Sequence, residues 1–260
     1  MSYGFQFLND SGQIVIDDTH VKPWFVGKAT YINATGPITY NGSIGISGYD
    51  WYIANYTAPA GASGIFFITM PTDRGFYWAQ PQYTAGGTIQ VNGAWPSGTL
   101  VDISEVPEVY CFSLGPVTPS NTGYGAQVFD AYGQCVFDTN RPHINPISTP
   151  GIDLPLVLLT GYNSPPSIGA DEYNSLGAYA AKPAIYLPRT FTLAAQRKGP
   201  LVNSSDLYEI QAMFKRSGTT LIASKKTTTQ YFEDQAITYV LNEGNPYNQT
   251  ILVLDANRYD

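Results

Sequence analysis

What constrains this chain most is that it says one thing twice. Tyr3-Gly4-Phe5-Gln6-Phe7-Leu8-Asn9-Asp10-Ser11-Gly12-Gln13-Ile14-Val15-Ile16-Asp17 returns as Tyr124-Gly125-Ala126-Gln127-Val128-Phe129-Asp130-Ala131-Tyr132-Gly133-Gln134-Cys135-Val136-Phe137-Asp138. The copies align without a gap and share the Tyr-Gly pair, the Gln that follows it, the Gly-Gln pair, a Val and the closing Asp. One copy stands at the start and the other near mid-chain, so the repeat divides the chain into two similar halves.

In the first copy Phe5 and Phe7 alternate with Gly4 and Gln6, and Ile14 and Ile16 flank Val15. Both arms are therefore read as short strands with one mainly apolar face. Between them Asn9-Asp10-Ser11-Gly12 supplies side chains that bond local backbone and a Gly that accepts positive φ. Each copy is thus expected to be a β-hairpin. The second keeps Gly133 while Asp10 and Ser11 become Ala131 and Tyr132, which makes the Gly the geometrical requirement and leaves the other loop positions to solvent. A lone hairpin is barely stable in water, so each must pair with structure downstream.

At 260 residues the chain is long enough for two ordinary domains, each with its own core. Leu114 to Gly123, containing Gly115, Pro116, Pro119 and Asn121, has the composition of an exposed, fairly stiff connector. The expected architecture is all-β: two tandem β-sandwich-like domains, residues 1–117 and 118–260, each opening with the repeated hairpin. Charged residues make up only 13% of the chain, so the surface must be built largely from Thr, Ser, Asn, Gln and Tyr, a composition suited to assemblies and extracellular work. The formal net charge of -7 and the lack of a basic stripe argue against a nucleic-acid partner. No positively charged segment followed by an apolar run opens the chain, so no signal peptide is expected. Leu154 to Thr160, the most apolar run, is far too short to cross a bilayer, and no membrane insertion is expected. Cys111 and Cys135 lack metal-ligand spacing and sit in apolar β-like stretches; they are read as two buried thiols, with a disulfide between them as the alternative.

Strands are expected over Lys22 to Ile32, entered from Pro23, then over Ser43 to Ser47, Gly48 to Ile53, Phe76 to Trp78, Thr88 to Val91 and Val109 to Ser113. Gly64 to Met70 is the candidate central strand of the first half. In the second half Leu154 to Thr160, Ala184 to Leu187, Phe191 to Ala195, Gln235 to Leu241 and Thr250 to Leu254 read as strands, and Tyr162 to Gly177 as a long surface loop. Leu207 to Phe214 is helical by propensity, but its alternation and the Ser217-Gly218 turn before Thr219 to Ala223 favour a hairpin.

Each candidate chemistry fails on a physical requirement. His20 and His143 follow the two hairpins at nearly equivalent places, but neither has a second His or Cys at ligand spacing. Asp10, Asp17 and Asp18 offer hard oxygens for Ca²⁺ without an Asp-x-Asp-x-Gly loop. The repeated closing acids Asp17 and Asp138 read instead as groups whose carboxylates accept backbone N–H bonds. Asp171-Glu172 and Glu233-Asp234 are sequence neighbours beside turns, with nothing to bury one as a proton donor. No nucleophile elbow is found, and Gly61-Ala62-Ser63-Gly64 lacks a Lys and precedes a strand, so it is no phosphate loop. The expectation is a non-enzyme with no catalytic, cofactor-binding or metal-ligating residues and no cofactor. Tyr49, Trp51, Tyr52, Tyr56, Trp78, Tyr83 and Trp95 exceed what one small core takes. They serve as core and amphipathic surface, as a packing surface for neighbouring subunits, or as a sugar-stacking platform.

The pattern carried by Tyr3 to Asp17 and by Tyr124 to Asp138, with the Tyr110-Cys111-Phe112 strand leading through a Pro-containing connector into the second copy, resembles a motif of tail-tip, baseplate and tail-fibre-associated structural proteins of tailed bacteriophages, particularly siphophages of Gram-negative hosts. The motif covers about a tenth of the chain, marks a hairpin rather than a catalytic site, and is duplicated here where other members carry one copy. The resemblance implies a virion structural protein near the distal tail, made in the host cytoplasm. It would mediate subunit assembly or fibre attachment, with other phage tail proteins and copies of itself as partners. Tyr162 to Gly177 and Pro71 to Pro81 are the expected contact regions. The rival reading is a carbohydrate-binding receptor module whose partner is a host surface glycan.

Overall fold

The structure, a computed structural model, describes residues 6–8, 14–17, 22–36, 49–71, 77–79, 81–84, 86–96, 105–121, 124–152, 174–180, 182–186, 192–198, 204–233 and 249–260. In chain order the strands are β1 (Gln6–Leu8), β2 (Ile14–Asp17), β3 (Trp24–Lys28), β4 (Thr30–Thr35), β5 (Tyr49–Thr57), β6 (Ile65–Thr69), β7 (Tyr77–Ala79), β8 (Gln82–Thr84), β9 (Thr88–Pro96), β10 (Val109–Ser113), β11 (Gln127–Phe129), β12 (Cys135–Asp138), β13 (Pro146–Ser148), β14 (Gly151–Ile152), β15 (Asn174–Ala178), β16 (Pro183–Tyr186), β17 (Thr192–Lys198), β18 (Ser204–Ser217), β19 (Thr220–Glu233), β20 (Gln249–Thr250) and β21 (Leu252–Asp255). A short 3-10 turn, Ala256–Arg258, follows β21. The chain is all-β, as its alternation requires.

Among the described residues, two large antiparallel sheets carry the fold. One has six strands in the order β13-β21-β16-β6-β10-β3; the other has nine, running β15-β19-β18-β7-β9-β5-β4, with β17 added beside β18 and β8 beside β9. Because side chains alternate along a strand, successive residues of the six-stranded sheet serve different clusters. Phe66, Ile68, Val109, Cys111, Ile185 and Val253 join Tyr52, Tyr56, Trp78, Val91, Phe214 and Leu221 of the nine-stranded sheet in one core, as in a sandwich. Their neighbours Phe67, Tyr110, Phe112, Ala184 and Leu254 form a second cluster on the other face with Ala256 and Tyr259. Being covered on both faces explains why all five residues of β10 are buried, and why Val109 to Ser113 reads as a continuous run rather than as polar alternation.

Both halves of the sequence supply strands to the same sheets. Residues 1–117 supply β3, β6 and β10 to the six-stranded sheet, and residues 118–260 supply β13, β16 and β21. The halves join where Ala184 and Ile185 pair with Thr69 and Ile68, and again where Met213 and Phe214 pair with Ala79 and Trp78. The repeat duplicates a local hairpin, and a local element does not fix where cores divide. Ile68 and Ile185 are both fully buried, so each strand needs neighbours on both sides, and each finds one of them in the other half.

Other differences have local causes. Lys22 to Ile32 is not one strand: the chain leaves the six-stranded sheet after β3, turns at Ala29, whose N–H donates to Val109 O at 2.8 Å, and enters the nine-stranded sheet as β4. Such sheet-switching strands close the corners of sandwiches. The connector is not simply exposed. Val117 is buried and its N–H donates to Cys135 O at 2.8 Å, so this stretch lies beside β12. The hairpin expected around Ser217-Gly218 is present, with Ser217 opposite Thr220 and Gly218 at φ 55°, the left-handed turn geometry that suits a two-residue loop. Each arm runs fourteen residues, well beyond the expected 207–223. The final residues of the expected loop Tyr162 to Gly177 belong to β15; residues 162–173, and the strands expected at Ser43 to Ser47, Leu154 to Thr160 and Gln235 to Leu241, lie outside the described residues.

Candidate interaction surface on the repeated hairpin

The repeat is a structural one. Gln6, Phe7 and Leu8 pair with Asp17, Ile16 and Ile14; Gln127, Val128 and Phe129 pair with Asp138, Phe137 and Cys135. Every pair occupies the same place in the repeated stretch, and both hairpins break register at the same step, before Leu8 and before Phe129.

In the second hairpin the shared residues have identifiable jobs. Gln127 and Asp138 face each other, and Gln127 Nε2 donates to Asp138 Oδ2 at 3.0 Å. The Asp138 carboxylate, fully buried, also accepts Ser120 N–H at 2.7 Å and Asn140 N–H at 2.8 Å. Burial works to raise its pKa, but the bonds from Ser120, Asn140 and Gln127 outweigh that and hold it down at about 2. Asp138 thus accepts backbone N–H bonds as expected from the sequence; the side chain of Asp17 lies outside the described residues. Gly125 leaves no room for a Cβ, which would collide with Thr139 Oγ1 and come within 2.8 Å of Asn140 Nδ2. At the tip Asp130 Oδ1 accepts the N–H groups of Tyr132 and Gln134, both at 2.8 Å, and Gly133 takes φ 77°. Nothing lies within 4 Å of a Cβ built on Gly133. Gly133→Ala therefore adds backbone strain and no clash, and an expected loss of about 1–2 kcal/mol is read directly from urea melts of the two proteins.

Cys135 and Val136 at the start of β12 are both buried, and Cys135 and Cys111 are free thiols. The His143 ring stacks on Phe137 at 4.6 Å, and its Nε2 lies 3.0 Å from Asp138 O. A carbonyl only accepts, so this nitrogen carries the proton. His143 also bridges to Trp24 of β3, a structural position, while His20 lies outside the described residues.

What remains on the surface is aromatic. Tyr124, a repeated residue, is fully exposed; Tyr132 at the tip is 90% exposed and Phe129 45%. Between Leu114 and Asn145 the formal charges at neutral pH are those of Asp130, Asp138 and Arg141, and all three are bonded within the chain. The hairpin therefore presents rings and neutral amides with Arg141 as the one cation of this stretch, able to bury aromatic area against a protein or to stack on a sugar, but without the cluster of cations that phosphates require.

Most of the aromatics singled out in the sequence have a different fate. Tyr52, Tyr56 and Trp78 are core, with Tyr56 Oη donating to Pro107 O at 2.7 Å. Tyr83 is 52% exposed and stacks on Phe66 at 5.7 Å. The side chains of Tyr49, Trp51 and Trp95 lie outside the described residues. Of the expected contact region Pro71 to Pro81, the described strand β7 is interior to a sheet, with Trp78 fully buried. The exposed trio was missed because the repeat read as scaffold; the signal was Tyr132 standing at a loop position assigned to solvent.

Among the described residues no three His, Cys, Asp or Glu side chains gather as metal ligands, and no helix is long and apolar enough to cross a membrane. Compared with protein-family models, with curated proteins and with solved structures, the chain matches none.

Proposed function

We propose that this protein is a structural component of a bacteriophage tail, at the distal tip or baseplate, where it mediates subunit assembly or fibre attachment. The observation that carries the reading is the second hairpin. Its repeated Gly125, Gln127, Gly133 and Asp138 hold its shape, while Tyr124, Phe129 and Tyr132 are left in solvent on a surface of low charge. Large exposed aromatics on a rigid neutral support suit a protein–protein contact, where Tyr buries area at low entropic cost. The low-charge composition, the all-β fold and the motif resemblance support the same assignment.

A triple variant, Tyr124→Ser, Phe129→Ser and Tyr132→Ser, touches none of the bonds that shape the hairpin. It should fold with an unchanged melting temperature and be lost from purified particles by at least tenfold relative to the unaltered protein. Incorporation at the unaltered level would remove the hairpin as an assembly contact. Saturable binding of purified host glycan, abolished in the same variant, would favour the receptor module instead, an outcome to which the exposed rings of Tyr124 and Tyr132 are suited.

A further inference from the structure

Across β4, β5, β9 and β8 the register lays out two straight rows of uncharged polar side chains. Thr30, Thr57, Thr88 and Thr84 stand opposite one another in one row, and Asn33, Asn55, Gln90 and Gln82 in the next. Residues opposite one another share a face of the sheet. The alternate positions Tyr56 and Ile89 belong to the core, with Tyr31 packed against it, so both rows lie on the outer face. Every member of the two rows is exposed or half-buried, and none is charged.

The threonine row follows from strand preference alone; the amide row runs against it. Asn is depleted in strands, yet Asn33, Asn55 and Asn92 stand in β4, β5 and β9. Asn92-Gly93, a pair that signals a hairpin turn, is held inside β9, where Gly93 pairs with both Tyr52 and Trp78. Places where a sequence overrides its local preference are where function is expected. The amides are also held ready. Gln90 Nε2 donates to Asn55 Oδ1 at 3.0 Å, and Asn55 Nδ2 donates to Asn33 Oδ1 at 2.9 Å. Side chains ordered in advance lower the entropic cost of binding.

We propose that this outer face binds a neutral polysaccharide, laid across the strands along the amide row. Each carboxamide offers both a donor and an acceptor, which suits sugar hydroxyls, since a hydroxyl both donates and accepts. The amides recur at the strand spacing of about 4.8 Å, and the threonine hydroxyls run parallel to them about 7 Å along the strands. The three gaps between four strands give a row of roughly 14 Å, a footprint of a few sugar rings. Ile32, the extra residue of the bulge in β4, is exposed next to Asn33 and offers apolar surface at one end. Charge complementarity selects the class of partner. A nucleic acid or an acidic glycan calls for cations, which the two rows lack, and a protein contact is built around an apolar centre, where this face has amides and hydroxyls. The inference rests neither on the second hairpin, whose β11 and β12 form a separate sheet, nor on the tail assignment.

The test uses the full chain and a double variant, Asn55→Thr with Gln90→Thr, which removes the centre of the amide row and keeps strand preference. Native gels are cast with hydroxyethylcellulose, laminarin, dextran, mannan or galactan, and with polygalacturonate as the anionic counterpart; a polysaccharide that binds retards the protein. The unaltered chain should be retarded by at least one neutral polysaccharide. The double variant should lose affinity for it at least tenfold, about the worth of two hydrogen bonds, with a melting temperature unchanged or raised. The triple variant of Tyr124, Phe129 and Tyr132 should be retarded like the unaltered chain, which separates this face from the hairpin. No retardation by any neutral polysaccharide, retardation by polygalacturonate alone, or equal retardation of the double variant would overturn the proposal. A lowered melting temperature in the double variant would make the amide row a structural device and overturn it as well. Self-association of the unaltered chain in sedimentation, lost in the double variant, would give the face to a second copy instead.

Discussion

Replacing Phe112 by alanine is expected to lower the stability of the whole molecule by about 3–5 kcal/mol, the range for losing a fully packed aromatic. Phe112 is fully buried on β10, with the rings of Phe25, Phe67 and Tyr259 at 5.6, 5.3 and 5.2 Å. Three elements surround it, so the cavity has no single neighbour able to collapse into it. The form of the change matters as much as its size. Because β10 and β6 from the first half share a sheet with β16 and β21 from the second, Phe112→Ala should move one cooperative unfolding transition. Ile185→Ala, made in the other half, should move the same transition by about 2–5 kcal/mol. Urea melts followed by both tryptophan fluorescence and far-ultraviolet dichroism check this, with coincident curves expected for every protein. Two separated transitions, each sensitive to only one substitution, would instead indicate two independently folding tandem domains.

The second large effect belongs to Asp138. Asp138→Ala removes the acceptor of the Ser120 and Asn140 N–H groups and one of the two acceptors of the Gln127 amide, which keeps Ser120 O, and should cost about 2–4 kcal/mol, since hydrogen bonds to a charged group are worth about 1.5–3 kcal/mol each and water reaching these half-exposed donors recovers part. The effect should depend on pH with a definite sign. The carboxylate titrates near 3.8 when unfolded and at about 2 in the fold, so the folded state favours the charged form. Its contribution is complete above about pH 4 and disappears as pH falls toward 2. The stability difference between the unaltered protein and Asp138→Ala should therefore be constant from pH 7 to 5 and shrink by about 2 kcal/mol on going to pH 2. Taking the difference cancels other acids, such as Glu108 and Asp260, whose carboxyls are also held low by Lys28 and Lys182.

How much of this was legible in the sequence follows from the range over which each signal acts. The hairpins, the Gly133 turn and the buried strands Ile65–Thr69 and Val109–Ser113 were readable, because side-chain alternation and turn chemistry are local. The hairpin at Gly218 was readable for the same reason. The shared core was not. The pairing of Ile68 with Ile185 spans 117 positions, and nothing in either strand names its partner. The break at Ala29 was hidden because Trp24 to Ile32 stays strand-like throughout and changes sheets rather than conformation. The cluster of Lys28, Glu108, Tyr110, Lys182 and Asp260 was equally hidden, since its members come from four distant stretches. For the surface, aromatic count pointed at Tyr52, Tyr56 and Trp78, which the core consumed. The exposed rings lie in the repeat, where the residues that hold the hairpin and those that leave it free look alike in sequence.

The most direct test of the central proposal is antibody-gold labelling of intact particles from the phage that would encode this protein, with antibody raised against the folded chain. The tail reading predicts gold concentrated at the distal end of the tail, and the protein recovered with purified particles at fixed stoichiometry. Unlabelled particles, with all of the protein free in the lysate and none found when particles are dissociated and probed, would contradict it.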